Sequence, residues 1–326
     1  MTNDRRFDLL VAGELNPDII AVGPNASPVF GQAETIVDAI RLEIGSSSAI
    51  VACGAARLGL RTAFVGVVGD DPFGRFMLDA LVAHGIDVSA CRVDATVPTG
   101  ATVVLSRGAD RAILTAIGAI DRLRVGDIPR DLLSASRHLH VGSTYLQPDL
   151  GADLPGLFAE ARAAGTTTSF DCNWDPSGEW DGGIDALLRA TDVFLPNLEE
   201  ARRITGRTAS PAAAAELLRR AAEGREPGYP FTLAMKQGAA GAMALRGAWE
   251  YEVTEAAGLP VEVVDSTGAG DSFDAGFLYG FIGGWPLAAT LDLAVACGSL
   301  SVAGIGGTAA QPTLDAARAA LAAAGR

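Results

Sequence analysis

The stretch Asp265-Ser-Thr-Gly-Ala-Gly-Asp271 holds the residues best suited to chemistry. Gly268, Ala269 and Gly270 have almost no side chains, so their backbone N–H groups can approach an anion closely. An apolar run with helical spacing (Phe273, Phe277, Leu278, Phe281, Ile282) follows directly. A turn that opens a helix presents unpaired N–H groups and the positive end of the helix dipole, which favours negative charge there. Asp271 lies at the mouth of that cradle. A carboxylate beside an anion hole is a poor anchor for phosphate and a sensible base, since it can take a proton from a hydroxyl while the hole holds the phosphoryl group under attack. Before the turn, the β-branched Val261, Val263 and Val264 read as a strand entering it.

Lys236 is the only lysine of the chain, and Gly-Lys-Ser/Thr never occurs. Neither a phosphate-binding P-loop nor a dinucleotide G-x-G-x-x-G after a strand is available. The cysteines (Cys53, Cys91, Cys172, Cys297) are far apart and form no CxxC pair, which argues against zinc and against a disulfide framework and fits a reducing cytoplasm. His138 and His140 alternate with Leu139 and Val141 as on one face of a strand. Asn197 precedes acids at 199 and 200, the pattern of a capped helix start.

The elements that must position these groups alternate. Strand-like segments fall at 8–12, 62–68, 138–141, 166–171, 192–195 and 231–235. Helix-like segments fall at 47–58, 72–84, 155–164, 198–205, 211–223, 271–281 and 312–324. This βα alternation predicts a mostly parallel sheet covered by helices on both faces. Residues 14–44 and 93–124 break the pattern with short alternating runs, such as 100–106 and 111–117, that read as antiparallel hairpins. With 326 residues, nearly half of them apolar, the chain can form one large α/β domain with a full core. The net charge of −14 argues against a general nucleic-acid or anionic-membrane surface. No apolar run approaches the ~18 residues of a membrane span, and the polar start shows no secretory pattern.

The segment 265–271 closely resembles the C-terminal signature of the ribokinase (PfkB) family of sugar and nucleoside kinases. Family-like blocks also occur, in the family's order, at Gly66-Val-Val-Gly-Asp-Asp-Pro-Phe-Gly74, Gly13-Glu-Leu-Asn16-Pro-Asp18, Asp171-Cys-Asn173, Asn197-Leu-Glu-Glu200 and Lys236-Gln-Gly238. The resemblance implies a ribokinase-like three-layer α/β sandwich forming one domain over 1–326, with a small β-sheet lid built from about 14–44 and 93–124. It implies a kinase moving the γ-phosphoryl group of ATP to a primary hydroxyl of a small sugar. Asp271 would be the base and Gly268-Ala269-Gly270 the anion hole. Asn16, Asp18, Gly45 and Ser46 would meet the sugar. Asn197, Glu200, Lys236, Gly238, Thr267, Gly268 and Gly270 would lie along the nucleotide, with Glu200 organising water around Mg2+. Asp265 and Thr267 resemble the monovalent-cation positions of K+-activated members, the remaining ligands being carbonyls near 304–308. Lid strands of some relatives pair between subunits, so the resemblance makes a homodimer through the lid one expectation by analogy.

Two departures bear on substrate. The family's Gly-Gly-x-x-x-Asn-x-Ala reads here Gly45-Ser-Ser-Ser-Ala-Ile-Val-Ala52, so Ser46 replaces a glycine and Ile50 the substrate-binding asparagine. Ser46, Ser47 or Ser48 are candidates to supply replacement hydroxyls. Trp174 follows Asn173 where several sugar-acid and fructose kinases carry a motif ending in Arg, and Tyr145 and Gln147 are candidates to line the same pocket. The alternatives are a nucleoside kinase, disfavoured by an aromatic content of only 6%, and a non-catalytic sugar-sensing protein, which would have no need of a base.

Overall fold

A computed structural model describes residues 5–23, 26–107, 110–225 and 229–326. Its strands are β1 (Phe7–Ala12), β2 (Pro17–Val22), β3 (Ala39–Ile44), β4 (Thr62–Val65), β5 (Val67–Gly69), β6 (Arg92–Asp94) and β7 (Ala101–Arg107), followed by β8 (Asp110–Ala116), β9 (Ser136–Val141), β10 (Thr167–Phe170), β11 (Val193–Phe194), β12 (Phe231–Lys236), β13 (Ala242–Gly247) and β14 (Tyr251–Ala256). The large sheet has the order β14-β13-β12-β11-β10-β9-β1-β4. Its strands from β12 to β4 run parallel, and β13 and β14 are antiparallel additions at one edge. Side chains alternate across it. Leu10 and Ala12 of β1 enter one apolar cluster with Leu139, Phe170 and Phe158, whereas Leu9 and Val11 enter another with Phe64, Phe273 and Leu291. The two clusters are the two helix-to-sheet interfaces of a three-layer α/β sandwich.

A second sheet, β3-β2-β7-β8, takes its strands from the two stretches that broke the βα alternation. Both β2–β3 and β7–β8 are antiparallel pairs, and β2 lies parallel to β7.

The expected strand at 62–68 divides at Gly66. β4 joins the large sheet while β5 pairs with β6 in a separate two-stranded ribbon. A Cβ on Gly66 would stand 2.9 Å from the Gly13 carbonyl, so the bend needs glycine. The helix expected to begin at Pro155 spans Pro148–Ala163, with Pro148 at its first turn and Pro155 inside it. The expected strand at 261–264 does not form. Val264 N and Asp265 N both bond Val302 O instead of a neighbouring strand, and Val261 and Val263 line a cavity. The helix Leu287–Ser301 lacked an amphipathic signal because it is apolar nearly all round. It lies against helix Ala269–Ile282 at close range: a Cβ on Gly276 would come within 2.9 Å of Ala294 Cα.

Candidate active site

The functional residues gather where β1, β9, β10 and β12 end and where helices Ser47–Leu58, Leu198–Thr205 and Ala269–Ile282 begin. Ligands of parallel α/β sheets bind at this carboxyl edge.

Gly268 is the N-cap of helix Ala269–Ile282, at φ 72°. A Cβ there would stand 2.6 Å from Gly307 Cα, so only glycine allows the turn to close on the loop 304–308. Asp265 ties the same parts together: Oδ1 accepts from Thr267 N (2.9 Å) and Thr267 Oγ1 (2.8 Å), and Oδ2 from Gly306 N (2.9 Å). Ile50 does not lie as an isolated gap in the sugar segment. It is buried against Gly307 and Gly268 and supports the underside of the turn.

Asp271 stands in the first turn of that helix. Burial, opposed by the Lys236 ammonium and reinforced by the charges of Asp171 and Glu14, pushes its pKa up to about 7. A base must be unprotonated, and its proton affinity in the free protein sets the acid limb of kcat/KM. For the activity argued below, kcat/KM is expected to fall about tenfold per pH unit below about 7. A rate that is flat well below neutrality would exclude Asp271 as the titrating base.

Lys236, the last residue of β12, is neither a surface lysine nor a free phosphate ligand. Its Nζ lies 2.6 Å from Asp171 Oδ2 and 3.0 Å from Asp274 Oδ1, and its side chain is only 11% exposed. One ammonium faces two buried carboxyls. It holds Asp171 below the usual carboxylate range, whereas burial pushes Asp274 well above it. Two adjacent acids sharing one ammonium oppose each other's ionisation, which adds to the upward push of burial on Asp274. A Cβ on Gly270 would sit 3.7 Å from Nζ, so the triad lies directly beside the anion turn. Asp274 was not singled out in the sequence, although its place three residues after Asp271 puts both on one helix face.

Asn197 and Glu200 form a reciprocal cap on helix Leu198–Thr205. Asn197 Oδ1 accepts from Glu200 N (2.9 Å), and Glu200 Oε2 accepts from Asn197 N (2.8 Å). Burial, aided by the charge of Asp171, pushes Glu200 up to about 8. A nearby cation would favour its ionised form. The ligand atoms of Glu200, Asp171 and Cys172 lie within 4.8 Å of one another, and the two carboxyls are the hard oxygen donors that suit Mg2+ held through water.

Beside Gly270 and Lys236 lies a mostly apolar cavity of about 590 Å3. Gly238, Leu259, Val261, Phe273, Val295 and Val302 are among its walls, which suit the faces of a planar heterocycle. It adjoins the anion turn and so has the chemistry and size for a nucleotide.

The residues expected to meet the sugar, Asn16, Asp18, Gly45 and Ser46, make contacts of their own. Asn16 Nδ2 donates to Thr102 Oγ1 of β7 (3.3 Å), linking the ends of both sheets. A Cβ on Gly45 would lie 2.2 Å from Asp18 Oδ1, so glycine leaves room for that carboxylate. The hydroxyls of Ser46 and Ser48 are committed to the scaffold. Ser46 Oγ donates to Glu14 O and caps Ala49 N at 3.0 Å, and Ser48 Oγ donates to Glu14 Oε2 at 2.7 Å. Gln147 is wholly buried, its amide turned to Gly142 O (2.9 Å) rather than to a pocket. Trp174, half exposed, stands edge-on to Trp180, as does Tyr145. Glu14 carried no role in the sequence reading, yet it sits 3% exposed at the centre of this polar group.

The model of the pfkB family carbohydrate kinases matches residues 7–314. A fructokinase of Klebsiella pneumoniae is 35% identical over 288 residues, 83% of this chain and 89% of the relative. A 5-dehydro-2-deoxygluconokinase of Geobacillus thermodenitrificans is 28% identical, covering 95% and 94% of the two chains. Among solved structures, a ribokinase II from E. coli in complex with ATP and Mg2+ superposes with a TM-score of 0.82 at 23% identity, covering 97% of this chain and 99% of that one. No helix among the described residues is long and apolar enough to cross a membrane.

Proposed function

The chain belongs to the PfkB family of carbohydrate kinases, and from that premise we propose that it moves the γ-phosphoryl group of ATP to a primary hydroxyl of a small sugar with Asp271 as the base. One observation carries this reading. Asp271 lies in the first turn of the helix that starts at Gly268-Ala269-Gly270, and Ala269, Gly270 and Lys236 line the apolar cavity beside it.

The cavity would take the adenine, with Lys236 and Gly238 at its floor. The backbone of 268–270 would hold the transferring phosphoryl group, a reaction that depends on positioning and charge stabilisation more than on covalent chemistry. Bound Mg2+, organised through water by Glu200 with Asn197 holding that carboxyl, would neutralise phosphate charge. Asp18 and Asn16 would accept and donate hydrogen bonds at the sugar hydroxyls, with the backbone at Gly45 and Ser46 completing that wall, and Asp271 would take the proton of the attacking hydroxyl. The β3-β2-β7-β8 sheet would cover the sugar as a lid and exclude water. A monovalent cation would sit where Asp265 and Thr267 meet the 304–308 loop.

The test is an ADP-release assay with ATP and Mg2+, with and without K+, over pentoses, hexoses, ketoses, sugar acids and nucleosides. Fructose and a dehydro-deoxygluconate head the panel, because the similar proteins named above act on a neutral and an acidic sugar respectively. Sugar-dependent ADP release supports the reading and names the class. Release with nucleosides alone would overturn the sugar assignment, and ATP binding without turnover on any acceptor would favour a sensor.

A further inference from the structure

A second cavity, of about 300 Å3, lies at the end of the large sheet opposite the active site. Arg137, Thr167 and Thr232, which line it, fall in the first two residues of β9, β10 and β12. Arg246, another wall residue, stands opposite Thr232 on the antiparallel β13. Asp171 and Lys236, by contrast, lie at the far ends of β10 and β12. The last turn of helix Ala269–Ile282 closes the cavity from above. This cavity and the Gly268–Gly270 turn therefore sit at opposite ends of one helix, about 20 Å apart by the rise of its residues.

Its walls divide by chemistry. Phe277, Phe281 and Trp285 supply aromatic surface, and Ile282 and Leu287 adjoin them. The polar side holds two arginines and three threonines, Thr290 being the third, and no acid, in a chain whose net charge is −14. Two of these polar groups are committed elsewhere. Arg137 Nη2 donates to Ile282 O at 2.6 Å while Nη1 lies 3.4 Å from Asp8 Oδ1, and Thr167 Oγ1 lies 2.7 Å from His138 Nδ1. The other three are not. Arg246 faces Glu252 across the β13–β14 ladder, yet it forms no ion pair among the described residues. Thr232 and Thr290 are 1% and 2% exposed, and neither side-chain hydroxyl has a hydrogen-bond partner among the described residues. A buried hydroxyl left unpaired costs free energy that an acceptor oxygen returns.

We propose that this cavity is a second ligand site, separate from the active site, for a small organic anion: a flat apolar ring bearing a carboxylate or phosphate group. The ring lies against Phe277, Phe281 and Trp285, and the anionic oxygens accept from the Arg246 guanidinium and from the hydroxyls of Thr232 and Thr290. A guanidinium only donates, so it selects a ligand that accepts, and its planar fork matches two oxygens of one group. A neutral sugar fits poorly, because no carboxylate or amide of the walls accepts from its hydroxyls. The volume lies at the lower end of small-molecule sites, which suits a ligand of about ten heavy atoms and leaves no room for a nucleotide or a peptide.

The test is isothermal titration calorimetry of the full chain with benzoate and with phenyl phosphate, each with and without ADP and Mg2+. Saturable one-to-one binding with Kd below about 1 mM is expected for at least one of the two, and the tighter one names the anionic group. Benzyl alcohol, which keeps the ring and loses the charge, and inorganic phosphate, which lacks the ring, are each expected to bind about tenfold more weakly or worse. Arg246→Gln should weaken the preferred probe about tenfold, and Thr232→Val, which keeps the shape and removes the hydroxyl, about threefold. Arg246 is exposed, so its replacement spares the fold and carries the test alone if Thr232→Val does not fold. ADP and Mg2+ should leave the Kd unchanged. Absence of saturable binding of both probes up to about 10 mM overturns the proposal. So does competitive displacement by ADP, which would move the probe to the nucleotide cavity. Equal affinity in Arg246→Gln, or benzyl alcohol binding as tightly as the anions, overturns it as well.

Discussion

Asp271→Asn is expected to lower kcat by about 10²- to 10⁴-fold, the usual worth of a positioned general base, while ATP and sugar still bind. The substitution keeps size and shape, so the helix start and the 268–270 cradle should remain. What is lost is the lone pair that accepts the hydroxyl proton. The stability readout separates this from a folding defect. Asp271 is raised from 3.8 to about 7 in the folded chain, so between those values the folded state holds a proton that the unfolded state has released. Stability from this group is therefore present below the lower value and is lost as pH rises toward the upper one. Asparagine carries no such loss, so the variant should melt no lower than wild type at neutral pH and gain on it from acid to neutral. Measured melts together with steady-state rates decide the matter. Turnover within tenfold of wild type would remove Asp271 from the role of base, whatever the melts show.

How far the site was legible in the chain follows from how local each signal is. The anion turn, Asp271 and the Asn197–Glu200 pair are read from contiguous residues whose spacing alone forces a helix start. Their geometry agrees: Gly268 caps one helix at φ 72° and Asn197 the other. The βα alternation and the two irregular stretches likewise reappear as the large and small sheets. What the sequence hid was set by contacts across long separations. Lys236 is 65 residues from Asp171, so nothing near it in the chain announces a buried triad. Ser47 is 126 residues from the Asn173 amide that donates to it. The valines at 261–264 obeyed β propensity in sequence, but Val261 and Val263 border the cavity and Val264 N bonds Val302 O instead of a strand. Helix Leu287–Ser301 was missed because apolar residues on nearly all its sides erase the periodicity by which a half-exposed helix is recognised.

Lys236→Met is expected to be the most destabilising single change near the site. Among the described residues Lys236 is the only cation paired with Asp171 and Asp274, whose side chains are 9% and 0% exposed. Methionine matches the stem in volume but leaves the Asp171 charge buried and unpaired. Breaking a buried pair by removing one partner costs about 3–5 kcal/mol. The urea midpoint should fall accordingly, and the fall should depend on pH with a definite sign. Without the ammonium, the folded-state affinity of Asp171 for a proton rises. The deficit is therefore largest at high pH, where ionisation of a buried acid is penalised, and shrinks as pH drops and the acid is protonated. Adding Asp171→Asn removes the orphaned charge and should recover most of the stability. Activity should not return with it. Lys236 lies beside Gly270 and favours the ionised form of Asp271, so a stable double variant still lacks the positive field at both the phosphoryl cradle and the base. If instead the stable double variant regains wild-type turnover, the triad serves folding alone, and the charge beside the cradle plays no part in phosphoryl transfer.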